Sequence, residues 1–254
     1  MTSKYIIGID LGTTNCSVAF AKTQEGKIEL LPIKQLVKLG SEKEELLFPS
    51  FIYFPLEEEL EKQLAALSWD NSRKLVAGYL AKERGQDVPS RLVLSAKSWL
   101  SVPEISKSTP LLPIDGEEEH KISPIDALKV LLAHIKEVWD INHPEDPLEK
   151  QTVLITVPAS FNIELRSYVE SAAKKAGYPD PILLEEPQAA FYAWLYQEEE
   201  SWRKELAADD KVLVVDIGGG TTDFSLISVK DESGDLALER VAVGEHLLLG
   251  GDNP

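Results

Sequence analysis

The sequence predicts an α/β fold of mixed sheets flanked by helices, and two observations carry that reading. A strand, a glycine turn and a returning strand are written twice, over residues 5–20 and 212–227. Between residues 152 and 217 the order is strand, helix, strand, helix, strand, the rhythm of an α/β layer with a largely buried sheet.

In the second copy, Val212-Leu213-Val214-Val215 is β-branched or aliphatic and predicts a buried strand that ends in Asp216. Gly218, Gly219 and Gly220 then permit a positive-φ reversal before Thr221, Thr222, Asp223 and the return. Aligning Asp10 on Asp216 brings Leu11 onto Ile217 and Gly12 onto Gly218, and Thr13 and Thr14 follow as the paired threonines. Chemically, each turn offers what a polyphosphate needs. Successive backbone N–H groups cradle phosphate oxygens, threonine hydroxyls add donors, and the strand-end aspartate holds Mg²⁺, usually through water. One Asp-x-Gly-x-Thr alone is an ordinary hairpin. Two copies, each behind an apolar strand, point to one nucleotide gripped from opposite sides.

Ile28 to Ile33 predicts a third antiparallel strand followed by a loop rich in lysine and glutamate, and Phe48–Phe54 a short aromatic strand kept to an edge or strand start by Pro49. Helical spacing runs from Leu56 to Trp69, and Val76 to Glu83 passes from strand to helix. Lys97, judged by spacing, is a surface lysine. Pro103 to Glu119, proline-rich and then acidic, predicts a loop or irregular hairpin. Ser123 is an N-cap with Pro124 at the first helical position, and Ile125, Leu128, Leu131, Leu132, Ile135, Val138 and Trp139 form one buried face.

Thr152–Val157 is a β-branched strand stopped by Pro158, and Asn162 opens a helix that stops at Gly177. Residues 181–187 form a short apolar strand delivering Glu185 and Glu186, and one long helix runs from Gln188 to about Ala207. Asp10, Glu186 and Asp216 therefore occupy the carboxyl ends of buried strands, where α/β sheets bind ligands. Three acids there are costly unless a cation compensates them.

Composition narrows the function classes. A chain of 254 residues with 43% hydrophobic content fills one large domain or two medium ones. Its 26 basic and 43 acidic residues leave a net charge of −17, which disfavours nucleic acid and anionic membrane surfaces as partners. Glutamate runs at 57–59, 117–119 and 198–200 read as solvated faces. A single cysteine, no apolar run of membrane-spanning length and an N-terminus that passes directly into a strand predict a cytoplasmic protein. His120, His134, His143 and His246 show no metal-ligand spacing with one another or with Cys16, and Cys16 reads as a small apolar filler beside the first turn.

Several segments together resemble the nucleotide-binding domain of the seventy-kilodalton heat-shock chaperones, within the actin-like (ribonuclease-H-like) ATPase superfamily. The segments are Gly8 to Asn15, Val212 to Ile227, Ile155-Thr156-Val157-Pro158-Ala159-Ser160-Phe161-Asn162 through Arg166, Leu184 to Ala190, and Leu249-Gly250-Gly251-Asp252-Asn253, which is similar to the start of a later helix. The likeness runs from end to end and is weakest at residues 36–88 and after Trp194.

It implies that residues 1–190 form a first ATPase lobe with a divergent inserted subdomain at about 36–122, and that residues 191–254 hold a connecting helix and the start of a second lobe. It also implies an N-terminal fragment that binds ATP weakly. Carried over residue by residue, Asp10, Asp216 and Asp223 hold Mg²⁺, and Gly12, Thr13, Thr14, Asn15, Gly218, Gly219, Gly220 and Thr221 bind phosphate oxygens. Lys97 steadies the γ-phosphate, against its bland reading by spacing, and Glu186 and Asp216 place the attacking water and the metal. Pro158 and Arg166 couple nucleotide state to a partner domain.

The implied function is Mg-dependent ATP hydrolysis in a chaperone, with ATP or ADP, Mg²⁺ and K⁺ as cofactors. In the full-length protein, client peptides, a J-domain co-chaperone and a nucleotide exchange factor are partners. The alternative is a regulatory or scaffolding relative with little or no turnover. A metabolite kinase of the superfamily would need an acceptor pocket with a general base, and no such residues stand out.

Overall fold

The computed structural model describes residues 3–198, 201–232, 235–244, 247 and 249–251. They fall into two compact units, residues 1–155 with 163–183, and residues 156–162 with 184–254. The architecture is mixed α/β, with several sheets flanked by helices. No described helix is long and apolar enough to cross a membrane.

The first unit begins with β1 (Tyr5–Leu11), β2 (Asn15–Lys22), β3 (Ile28–Leu30), β4 (Ile33–Lys38), β5 (Ser41–Glu45), β6 (Phe48–Pro49), β7 (Ile52–Tyr53), α1 (Glu57–Glu61), β8 (Val76–Ala77), α2 (Tyr79–Asp87), β9 (Leu92–Val93) and α3 (Ala96–Trp99). It continues through α4 (Pro124–Asn142), β10 (Thr152–Val157), α5 (Ile163–Lys175) and β11 (Ile182–Glu185), the last residues of β10 and β11 belonging to the second unit. Its main sheet has the order β11-β10-β1-β2-β3, with β6 paired to the start of β2.

Alternation in β1 buries Tyr5, Ile7, Ile9 and Leu11 and leaves Ile6 exposed, as a strand covered on one face requires. β1 runs antiparallel to β2 and parallel to β10. The helix over residues 124–142 forms as expected: the Ser123 hydroxyl oxygen accepts from the Asp126 N–H at 3.1 Å, and the apolar stripe from Ile125 to Trp139 is buried. Trp139 meets Tyr5 and Phe20 edge-on, each at 5.3 Å, fixing the helix to the sheet.

Between β3 and α3 the chain builds a smaller core from Leu36, Tyr53, Ala65, Leu67, Val76, Leu80 and Ala81. The third strand stops at Leu30, and the lysine- and glutamate-rich stretch is not a loop but the hairpin β4–β5. Gly40 turns it at φ +69°, and Lys34 reaches Glu42 at 3.0 Å, so charges of opposite sign stabilise strands that lack an alternating apolar pattern. The helix expected to Trp69 ends at Glu61, because Gln63 takes φ +54°. Glu59, expected in solvent, is buried: it pairs with Arg84 at 2.7 Å and accepts from the Tyr53 hydroxyl at 2.9 Å.

The second unit holds α6 (Glu186–Glu198), α7 (Trp202–Glu205), β12 (Lys211–Ile217), β13 (Thr222–Glu232) and β14 (Asp235–Val243), the strands forming an antiparallel sheet in chain order. Two expectations fail here. β12 is not buried: the face that carries Leu213, Val215 and Ile217 is exposed. Where one helix was expected to Ala207, the described residues form two, with residues 199 and 200 between them outside the described residues, and the Ser201 hydroxyl bonds the Glu198 carbonyl at 2.8 Å.

Candidate functional site

In the first unit, β1 carries Asp10 to the mouth of the turn between β1 and β2. Asp10 is exposed, and Gly12, Thr13, Thr14 and Asn15 are half-buried. A side chain at Gly12 would place Cβ 2.3 Å from the Asn15 carbonyl oxygen, so the turn closes only with glycine. Ser50, immediately after β6, grips the turn from behind. Its hydroxyl donates to the Gly12 carbonyl at 2.7 Å, and its backbone N–H donates to the Thr14 carbonyl at 2.9 Å.

Cys16 is fully buried beneath this turn, its Sγ 3.3 Å from the Ser50 hydroxyl. Burial pushes its thiol up to about 12, so it stays protonated; the charge on Asp10 pushes the same way, while that on Lys97 opposes it. Lys97 is 5% exposed, which overturns its reading as a surface lysine. It is delivered by β9, which pairs with β7, and Ser95 turns the chain at φ +53° just before α3.

In the second unit, β12 and β13 are joined by the Gly218–Thr221 turn, closed by a Gly218 N–H to Thr221 carbonyl bond of 2.8 Å. Asp216 stands directly opposite Asp223 across the two strands. Cross-strand partners share a face, and like charges placed so repel unless a cation lies between them. Asp223 is 4% exposed and accepts from the Thr221 hydroxyl at 3.3 Å.

The glycine pair near the end of the chain, expected to open a helix, packs onto this turn over its described part. Gly251 N–H donates to the Gly218 carbonyl at 3.0 Å, and a Cβ on Gly250 would lie 2.3 Å from the Gly219 carbonyl oxygen. Asp252 and Asn253 lie outside the described residues, as does His246.

Glu186 is half-buried and opens α6, directly after Glu185 at the end of β11. The acids are therefore less desolvated than their strand-end positions predict: Asp10 is exposed, Glu186 and Asp216 are half-buried, and Asp223 is the buried acid of the set. The sequence offered no sign that Glu185 is the buried acid of its pair. It meets Arg240 of β14 at 2.5 Å, and Arg240 also donates to the Ala159 carbonyl at 3.5 Å. Pro158 is buried behind β10, while Arg166 lies in the first turn of α5, in the other unit.

Among the described residues the one grouping of histidine and carboxylates spaced for a metal is Glu117, Glu119 and His120, on a short 3-10 turn with both glutamates exposed. It is far in sequence from either glycine turn. His134, by contrast, is buried and structural.

The family described as Hsp70 protein matches residues 6–253, nearly the whole sequence. The chain belongs to the Hsp70 family. Its mixed sheets and flanking helices agree with the actin-like fold of the Hsp70 nucleotide-binding domain. Among curated Hsp70-type relatives, it is 27% identical over 263 residues to "Chaperone protein HscA homolog" of Pseudoalteromonas atlantica, covering 98% of this chain and 36% of that protein. A second HscA homolog, from Pasteurella multocida, is also 27% identical, over 260 residues with the same coverage. "Chaperone protein DnaK" of Burkholderia cepacia is 25% identical over 264 residues, covering 98% of this chain and 35% of DnaK. The chain thus spans about a third of the length of the relatives it matches.

Proposed function

We propose that this chain is the ATP-binding and hydrolysing module of an Hsp70-type chaperone. The observation that carries the reading is the duplicated turn: each copy ends a strand in an aspartate and reverses through glycine and threonine. The Gly12 turn admits no side chain, and the second turn brings Asp216 and Asp223 face to face. These features suit phosphate and Mg²⁺, and the family and its chaperone relatives support the assignment.

In this reading Gly12, Thr13, Thr14 and Asn15, and separately Gly218 to Thr221, donate to phosphate oxygens of ATP or ADP, with K⁺ as a further cation. Asp10, Asp216 and Asp223 hold hydrated Mg²⁺. When bound, Mg²⁺ neutralises charge on the transferred phosphoryl group. Lys97, held in place by burial, contributes a fixed positive charge to the same end. Glu186 orients water for in-line attack, and little covalent chemistry falls to the protein.

Residues 1–190 serve as the first lobe, with an inserted subdomain at about 36–122, and residues 191–254 supply the connecting helix and the start of the second lobe. Client peptides, a J-domain co-chaperone and a nucleotide exchange factor engage the whole cytoplasmic protein, and Pro158 and Arg166 take part in transmitting nucleotide state.

The test is calorimetric titration of Mg·ATP, Mg·ADP and AMP, followed by single-turnover hydrolysis. Binding should require Mg²⁺, weaken in AMP and vanish in Asp10→Asn. Lys97→Ala should lower the hydrolysis rate by roughly 10²–10³, the usual loss for a preorganised electrostatic group. Mg-dependent binding without hydrolysis would favour the regulatory or scaffolding alternative, and no binding by the whole protein would sink both.

A further inference from the structure

We propose that Ser50 is the positioning residue of the first phosphate turn, setting the direction in which Thr13 and Asn15 present their N–H donors. The inference rests on the nucleotide reading above and extends it to a residue outside the repeated motif. Ser50 is 4% exposed and lies 34 residues beyond Cys16 in the chain, on the far side of the β4–β5 hairpin. It makes two donations into one turn: its hydroxyl to the Gly12 carbonyl at 2.7 Å and its backbone N–H to the Thr14 carbonyl at 2.9 Å.

A trans peptide unit is planar, and its C=O and N–H point in opposite directions. Holding the Gly12 carbonyl toward Ser50 therefore turns the Thr13 N–H away from Ser50, and holding the Thr14 carbonyl does the same to the Asn15 N–H. Alternate peptide planes of the turn are thereby fixed before any ligand arrives, so binding incurs less ordering cost. The serine proton is committed to Gly12, so at the 3.3 Å contact the Cys16 thiol is the donor and the Ser50 oxygen the acceptor. The register supports the same arrangement: Asn15 faces Pro49 and Cys16 faces Phe48, which brings Ser50 level with Thr14.

Calorimetric titration of Mg·ADP and of AMP into the protein and its Ser50→Ala, Ser50→Thr and Cys16→Ala variants tests this. Ser50→Ala should weaken Mg·ADP about five- to tenfold, the scale of one buried hydrogen bond, and leave AMP within about twofold. A general loosening of the site would weaken both ligands. Ser50→Thr keeps a hydroxyl and should recover Mg·ADP affinity to within about threefold, while Cys16→Ala removes only the thiol and should change it by less than about twofold.

A folded Ser50→Ala that binds Mg·ADP like the wild type overturns the proposal, as does a Cys16→Ala variant that is equally weak. Should Ser50→Ala not fold, the wild-type protein still decides: the Thr13 and Asn15 amide resonances must shift on adding Mg·ADP, and two unmoved amides overturn the proposal. A wild-type protein that binds no Mg·ADP removes the nucleotide reading and this inference together. Normal wild-type binding with an indifferent Ser50→Ala removes this inference alone.

Discussion

At the scale of single residues, His134 shows how a buried group can be structural and still titrate. Its Nε2 lies 2.8 Å from the Lys34 carbonyl and its Nδ1 3.2 Å from Arg73 Nη1. The neutral tautomer protonated on Nε2 satisfies both, donating to the carbonyl and accepting from the guanidinium. The ring stacks on Phe48 at 4.6 Å and meets Trp69 edge-on. Burial pushes its pKa down from 6.5 to about 4; the Arg73 charge pushes the same way, against the Lys34 carbonyl and Glu42. Glu137, paired with Arg73 and accepting from Trp69, completes the charged surroundings.

Because the folded pKa lies below the unfolded one, the contribution is complete above about pH 6.5 and is lost as pH falls toward 4, amounting to about 3 kcal/mol. Urea unfolding across that window should show stability falling with acid. His134→Gln should flatten the slope by about one proton, and an unchanged slope would contradict the assignment. The apolar stripe read along the helix did not include His134, and the sequence held nothing to name Lys34 or Arg73 as its partners, which come from segments far away in the chain.

At the scale of elements, α2 is held by a residue from another strand. Gly78, at φ +92°, precedes the helix, and the carbonyl oxygen of the fully buried Gln35 side chain accepts from the Tyr79 N–H at 2.9 Å. A Cβ on Gly78 would sit 2.3 Å from that oxygen and 2.6 Å from the Phe48 ring. Gly78→Ala should destabilise the protein by roughly 2–5 kcal/mol, combining an unfavourable φ with overpacking, as read by chemical denaturation. A loss below about 0.5 kcal/mol would show that the loop relaxes freely. The passage from strand to helix at Val76–Glu83 was legible from its residues. The buried glutamine that caps it was not, since its partner lies beyond a hairpin.

For the whole molecule, the net charge of −17 predicts self-repulsion that salt relieves. Without Mg²⁺ or nucleotide, the thermal midpoint should rise by a few degrees between about 10 mM and about 150 mM salt, as the Debye length shrinks from about 30 Å to about 8 Å. Surface ion pairs such as Lys22–Glu25 weaken under the same change, but each is worth about 0–1 kcal/mol, so repulsion should dominate. A midpoint that fell with salt in calorimetry would mean the ion pairs win.

Both glycine turns, the strand-end acids Asp10 and Asp216, the capped helix at 124–142 and the family were legible in the residues alone. All of these depend on local residue types: glycine at a reversal, β-branched runs in strands, serine before a helix. Tertiary structure alone decided that Lys97 is buried, that Ser50 grips the first turn, that Gly250 and Gly251 pack on the second, and that Glu59 and Glu185 are buried beside arginines. Each depends on a partner from another element, and a linear sequence does not state which distant residue will supply the compensating bond.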